Sequence, residues 1–110
     1  MLTVPPTTEL WFAGAVDLRL GFDGLANRVR SVLNADPTGG HLFVFTNRAA
    51  NRVKVLYWGG RGLNLWCQRL EVGRYPFPPV TDGRLELTAT QFAMILDGLD
   101  PATARPRSRR

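Results

Sequence analysis

The chain has 110 residues, 12.3 kDa, with 45 % hydrophobic and 21 % charged side chains. That is the size and composition of one globular domain, which excludes wholesale disorder. The net charge is +5, but Arg105, Arg107, Arg109 and Arg110 supply most of it, so the high pI belongs to the C-terminal tail and not to a basic fold.

In chain order, residues 1–8 read as an extended lead-in, because Pro5 and Pro6 disfavour helix. Glu9–Ala13 reads as a short strand around Leu10, Trp11 and Phe12. Phe22, Leu25, Ala26, Val29, Val32 and Leu33 recur at spacings of three and four, which predicts a helix over Phe22–Leu33. Asp23 suits its N-terminal end, where backbone N–H groups lack partners. Asp36-Pro37-Thr38-Gly39-Gly40 stops the helix and turns the chain.

The next stretch is the most regular. His41–Thr46 is a short apolar run of the kind found in a central strand buried on both faces. Asn47–Asn51 makes a turn, Arg52–Trp58 a strand, Gly59–Gly62 a second turn and Leu63–Leu70 another strand. Such spacing predicts an antiparallel meander. Gly73, Pro76, Pro78 and Pro79 interrupt regular structure, and Arg84–Leu87 fits a short strand closing the sheet edge. Thr88-Ala-Thr-Gln91 fits a capping box, followed by Phe92, Ile95, Leu96 and Leu99 at helical spacing, with Gly98 and Pro101 ending the helix. The expected fold is therefore α+β: one domain over residues 9–101, a curled antiparallel sheet flanked by two helices. Residues 102–110 are expected to form a disordered basic tail.

The chemistry points away from catalysis. One cysteine, Cys67, and one histidine, His41, provide neither an internal disulfide nor the usual zinc ligand set. Gly59-Gly60-Arg61-Gly62 joins two strands and lacks the lysine and helix of a phosphate-binding loop. His41 has no nucleophile motif beside it and reads as structural, and Cys67 reads as a small buried hydrophobe. The nine acidic residues scatter over turns and helix ends, where capping and solvation account for them. No metal, no cofactor and no catalytic residue are therefore expected.

The longest strictly apolar runs, Leu42–Phe45 and Phe92–Leu96, fall far short of the roughly 20 residues that cross a bilayer. No membrane partner is expected, and with no basic and apolar leader at the N-terminus the chain reads as cytoplasmic.

Binding features are more visible. Of the fourteen basic residues only Lys54 is lysine, and arginine suits bidentate phosphate contacts and stacking on rings. Arg52 and Lys54 lie on the Arg52–Trp58 strand and Arg48, Arg61, Arg69 and Arg74 in or near turns, interleaved with Trp58 and Trp66. Together they are candidates for a nucleic-acid-binding sheet surface. The competing expectation is a solvated face whose tryptophans pack beneath a helix. The tail arginines are a second, sequence-independent candidate for phosphate binding.

Several stretches resemble a known family. They are Asp17-Leu-Arg19 with Gly21-Phe-Asp-Gly-Leu25, Gly40-His-Leu-Phe-Val-Phe45, Asn51-Arg-Val-Lys-Val-Leu-Tyr-Trp58, Gly62-Leu63, and Gln68-Arg-Leu-Glu71 with Gly73-Arg74. Leu87-Thr88 with Gln91 and the Gly98-Leu-Asp100 end complete the set. Over about residues 9–100 the chain resembles the small TnpB or Orf2-like accessory protein of the insertion-sequence sixty-six family of bacterial transposable elements. Pro101 stands where that pattern has an aromatic residue.

The resemblance implies a non-catalytic part in DNA transposition and recombination. A separate transposase would cut and join the strands, and this chain would bind that transposase, the element's DNA ends, or both. It carries over no catalytic or binding residue. Two alternatives from other classes are a metal-dependent nuclease or transposase subunit and a pure protein-interaction module without DNA contact.

Overall fold

The computed structural model describes residues 8–81 and 83–101. The expected lead-in, apart from Thr8, and the expected disordered tail at 102–110 lie outside the described residues. Seven elements follow one another: β1 (Leu10–Ala15), α1 (Phe22–Ser31), β2 (Leu42–Thr46), β3 (Arg52–Trp58), β4 (Leu63–Arg69), β5 (Leu85–Leu87) and α2 (Ala89–Leu96). They form one five-stranded sheet in the order β4-β3-β2-β1-β5, with the two helices packed on its opposite faces.

The antiparallel meander is present as β2-β3-β4, with Val44 opposite Val55 and Val55 opposite Trp66. The sheet as a whole is mixed. β1 runs parallel to β2, pairing Leu10 with Leu42 and Phe12 with Val44, while β5 runs antiparallel to β1. The reason is the helix between β1 and β2. A tight turn returns a strand antiparallel, whereas a crossover helix brings the chain back to start the next strand at the same end as the last. The sheet stays open, with β5 forming one edge and β4 the other.

Burial follows from this layering. All five residues of β2 are buried, as expected of a strand covered on both sides. Its Phe43 and Phe45 meet Leu25, Ala26, Val29 and Leu33 beneath α1. Leu42 and Val44 point the other way and join Leu10, Phe12, Val53, Val55, Leu87, Phe92 and Ile95 beneath α2. The proline-rich stretch after β4 helps to roof that second face: Tyr75 is buried there, and Phe77 stacks on Phe12 with ring centroids 4.3 Å apart.

Both helix ends on α2 are built by local chemistry. Gln91 N–H donates to Thr88 Oγ1 at 3.0 Å while Thr88 N–H donates to Gln91 Oε1 at 2.9 Å, the reciprocal capping box. At the other end Gly98 adopts φ +83, and Leu99 N–H reaches back to the Met94 carbonyl, closing a Schellman turn. α1 ends at Ser31, two residues sooner than the apolar stripe predicts, and Asn34 turns the chain with φ 52. Its N-cap is Gly21, without a side-chain cap, and Asp23 sits in the first turn instead. Because the Thr88 hydroxyl satisfies an otherwise unpaired helix N–H, Thr88→Ala is expected to lower unfolding stability by about 1 kcal/mol, measurable by urea denaturation.

Candidate nucleic-acid interface

Along β3 the pleat alternates, so Arg52, Lys54, Leu56 and Trp58 share the α1 face while Val53, Val55 and Tyr57 share the α2 face. The β3–β4 register then assigns β4. Arg69 lies opposite Arg52, Cys67 opposite Lys54 and Leu63 opposite Trp58, whereas Trp66 lies opposite Val55. Trp58 and Trp66 therefore stand on opposite faces of the sheet, which overturns the expectation that they share one surface with the basic residues. A second correction concerns Cys67, expected to be buried. It is exposed, because it sits on the outermost strand beyond the cover of α1.

Four of the six candidate cations gather at one end of the sheet. Arg52, Lys54 and Arg69, with Leu18, Val53, Cys67, Gln68 and Glu71, line a depression of about 370 Å³. Arg48 lines a neighbouring one of about 430 Å³ with Ala15, Val16, Asp17, Leu18 and Asn47. Leu18 is common to both, so the two form one strip beyond the carboxyl ends of β1 and β2. Open sheets tend to bind ligands at that position, where the loops after the parallel strands diverge. Four cations line the strip against two carboxylates, Asp17 and Glu71, so its charge is net positive.

Arg74 belongs to the same end, since the next residue, Tyr75, donates its N–H to the Ala50 carbonyl in the β2–β3 turn. Arg61 does not. It lies in the β3–β4 turn at the opposite end of the hairpin.

The turn that presents Arg48 and Arg52 is held from within. Asn47 Oδ1 accepts from the N–H groups of Asn51 and Arg52, Asn47 Nδ2 donates to Asn51 Oδ1, and the Thr46 hydroxyl donates to the Arg52 carbonyl. These bonds satisfy backbone groups the turn would otherwise leave unpaired.

Lys54 has a different surrounding from the arginines. Its ammonium donates to the Leu18 carbonyl at 2.6 Å and the Leu20 carbonyl at 3.1 Å, tying the β1–α1 loop to β3. Arg69 is shared with Glu71 at 3.1 Å, and both are exposed. Arg52 and Arg69 stand directly opposite on adjacent strands, and like charges placed this way repel unless an anion lies between them.

Sequence reasoning singled out Asp17-Leu-Arg19 only as part of the family resemblance and gave Arg19 no role. Asp17 Oδ2 and Arg19 Nη2 form an ion pair at 2.8 Å at the mouth of the strip. The side-chain hydrogen bond from Arg19, then that from its backbone N–H, lower the Asp17 carboxyl to about 2. The two-residue spacing Asp-x-Arg was the available signal, since an aspartate often accepts from the N–H two positions on.

Two further residues have structural places. His41 stacks on Trp11 with ring centroids 5.4 Å apart and lies 3.5 Å from Glu9. Arg84 covers the Trp11 ring at 3.5 Å and donates to the Leu33 carbonyl, joining the approach to β5 to the end of α1. Among the described residues no cluster of three or more His, Cys, Asp or Glu side chains is placed to hold a metal ion. Asp82 lies outside the described residues.

Two measurements check these assignments. Lys54→Met keeps the aliphatic stem but removes both donors, and is expected to cost about 2 kcal/mol in urea unfolding, as for hydrogen bonds from a charged group. Asp17 titrates low in the folded state, so the stability it adds is complete above its ordinary value of 3.8 and is lost as pH falls through about 2. An NMR pH titration should find that low midpoint, and Arg19→Gln should move it back toward 3.8.

Comparison with known proteins places the chain in a family. It is similar to the uncharacterized protein y4jC of Sinorhizobium fredii (strain NBRC 101917 / NGR234), with 42 % identity over 85 residues, 77 % of this chain and 73 % of the relative. The uncharacterized protein y4hO of the same strain is 37 % identical over 101 residues, 91 % of this chain and 88 % of the relative. No solved structure matches. A family model described as IS66 Orf2-like protein matches residues 8–106, nearly the whole length. The chain thus belongs to the IS66 Orf2-like family, a membership that suggests an accessory role in the transposition of an insertion sequence.

Proposed function

We propose that this protein assists a separate transposase without performing strand chemistry itself, and that its basic strip holds phosphates at the ends of the element's DNA. One observation carries the DNA reading: Arg48, Arg52 and Arg69 converge with Lys54 on adjoining depressions at one end of the sheet. Guanidinium groups there are partly exposed and set on strands and a hydrogen-bonded turn, which suits them to fix a duplex backbone in place. Arg74 extends the same end. Lys54 acts mainly as the brace beneath, because two carbonyls already engage its ammonium. Arg61 stands apart from this surface.

Family membership supports the transposase as the protein partner, with the bacterial cytoplasm as the natural compartment for both. No helix among the described residues is long and apolar enough to cross a membrane.

The test is binding to a labelled terminal-repeat duplex and a scrambled duplex across a salt series. Replacing Arg48, Arg52 and Arg69 together by alanine is expected to weaken binding and to reduce the salt slope by up to about 2.7 units, since each phosphate contact contributes about 0.9. A chain ending at Ala104 separates out the four tail arginines, worth up to about 3.6 units on the same scale. Preference for the terminal repeat that survives truncation supports a folded DNA reader. Equal binding by the wild type and the triple variant removes the strip from the mechanism.

A further inference from the structure

The outer strand β4 has properties that the DNA reading does not use. Among the described residues no strand pairs with its outer side, so one row of backbone donors and acceptors along seven residues faces outward. Natural edge strands are usually guarded by charge, proline or a bulge, because an open edge templates further pairing. Here the first six of its seven residues, Leu63-Asn-Leu-Trp-Cys-Gln68, carry no charge and no proline, Arg69 at the end is the strand's one charged residue, and β4 pairs with β3 residue for residue without a bulge. Leu63, Leu65 and Trp66, residue types of an interior strand, are left only partly buried. Opposite charges flank the strand: Arg61 two residues before its start and Glu71, which also accepts from Arg69 of its own chain, two residues after its end.

We infer that β4 pairs antiparallel with β4 of a second copy of this chain, about a two-fold axis at Trp66, joining the two five-stranded sheets into one. Charge selects that register. A two-fold pairing that keeps both α1 helices on the same side must put residues of the same pleat parity opposite each other. Centring it on Leu65 would oppose Arg61 to the partner's Arg69, two like charges. Centring it on Cys67 would leave Glu71 opposite the partner's Leu63 and Arg61 without an acidic neighbour.

Centred on Trp66, Leu65 faces the partner's Cys67, Asn64 faces the partner's Gln68, and Arg61 falls beside the partner's Glu71, twice over by symmetry. This arrangement is isologous and closed, so it uses up the free edge without propagating. It also accounts for Arg61, the one candidate cation that lies away from the basic strip. In the dimer Arg61 reaches the carboxylate that borders the other copy's strip.

Sedimentation velocity of the full chain over a micromolar concentration range, without DNA, tests the inference independently of the DNA reading. The wild type is expected to dimerise. Arg61→Glu and Glu71→Arg should each weaken the dimer by roughly tenfold or more, since two symmetric surface ion pairs become repulsive. The double variant R61E/E71R should restore it. Both positions are exposed, and circular dichroism checks that each variant keeps its fold. A monomer at every concentration overturns the dimer. A dimer indifferent to both single reversals, or one not rescued by the double, overturns this register.

Discussion

Parallel alignment of β1 with β2 is the constraint on which the rest of the molecule depends. The crossover through α1 forces it, and α1 must then cover one face of the sheet. Once that face is covered, β2 becomes a strand buried on both sides, which is why five consecutive residues there are apolar or, in Thr46, hydrogen-bonded. The same alignment places the exits of β1 and β2 at one end of the sheet. The loop after β1 and the turn after β2 therefore meet, and the cations on that turn and on β3 and β4 come together at that end.

The stability of this arrangement is divided between the two faces in different ways. The α1 face is sealed by aromatic and aliphatic packing of Phe43 and Phe45 against one helical stripe. The α2 helix is short, only eight residues, and isolated helices of that length are marginal in water. Its paired caps and the aromatic roof from Tyr75 and Phe77 make up the difference. A proline-rich connection thus contributes to the core, where composition alone would assign it to a loop.

Much of the fold was legible in the sequence wherever the signal is local. The helical stripe from Phe22, the meander from His41 to Leu70 and the Thr88–Gln91 cap each depend on residues close in the chain, and each is present. The direction of β1 was less legible, because strand polarity depends on where the crossover returns. The placement of Trp58 and Trp66 was recoverable but missed: a four-residue turn between Trp58 and Leu63 fixes the register, which sets Trp66 opposite Val55.

Candidate site residues divide along the same line. Charge and proximity to turns singled out Arg48, Arg52, Arg69 and Arg74, whereas the bracing role of Lys54 required knowing that a loop 34 residues earlier would lie across it. The exposure of Cys67 required knowing which strand ends the sheet.

Commitment of the chain's single lysine to two backbone carbonyls has a consequence for control of the protein's charge. Lysine is the side chain whose cation acetylation removes, and its ammonium also loses charge when buried or at alkaline pH. Every other basic side chain lining the strip is a guanidinium, which stays protonated throughout the physiological range. The positive field of the basic strip is therefore nearly constant. Neither lysine acylation nor a change in cellular pH can switch it, and any adjustment must come from competing anions or from a partner that covers the arginines.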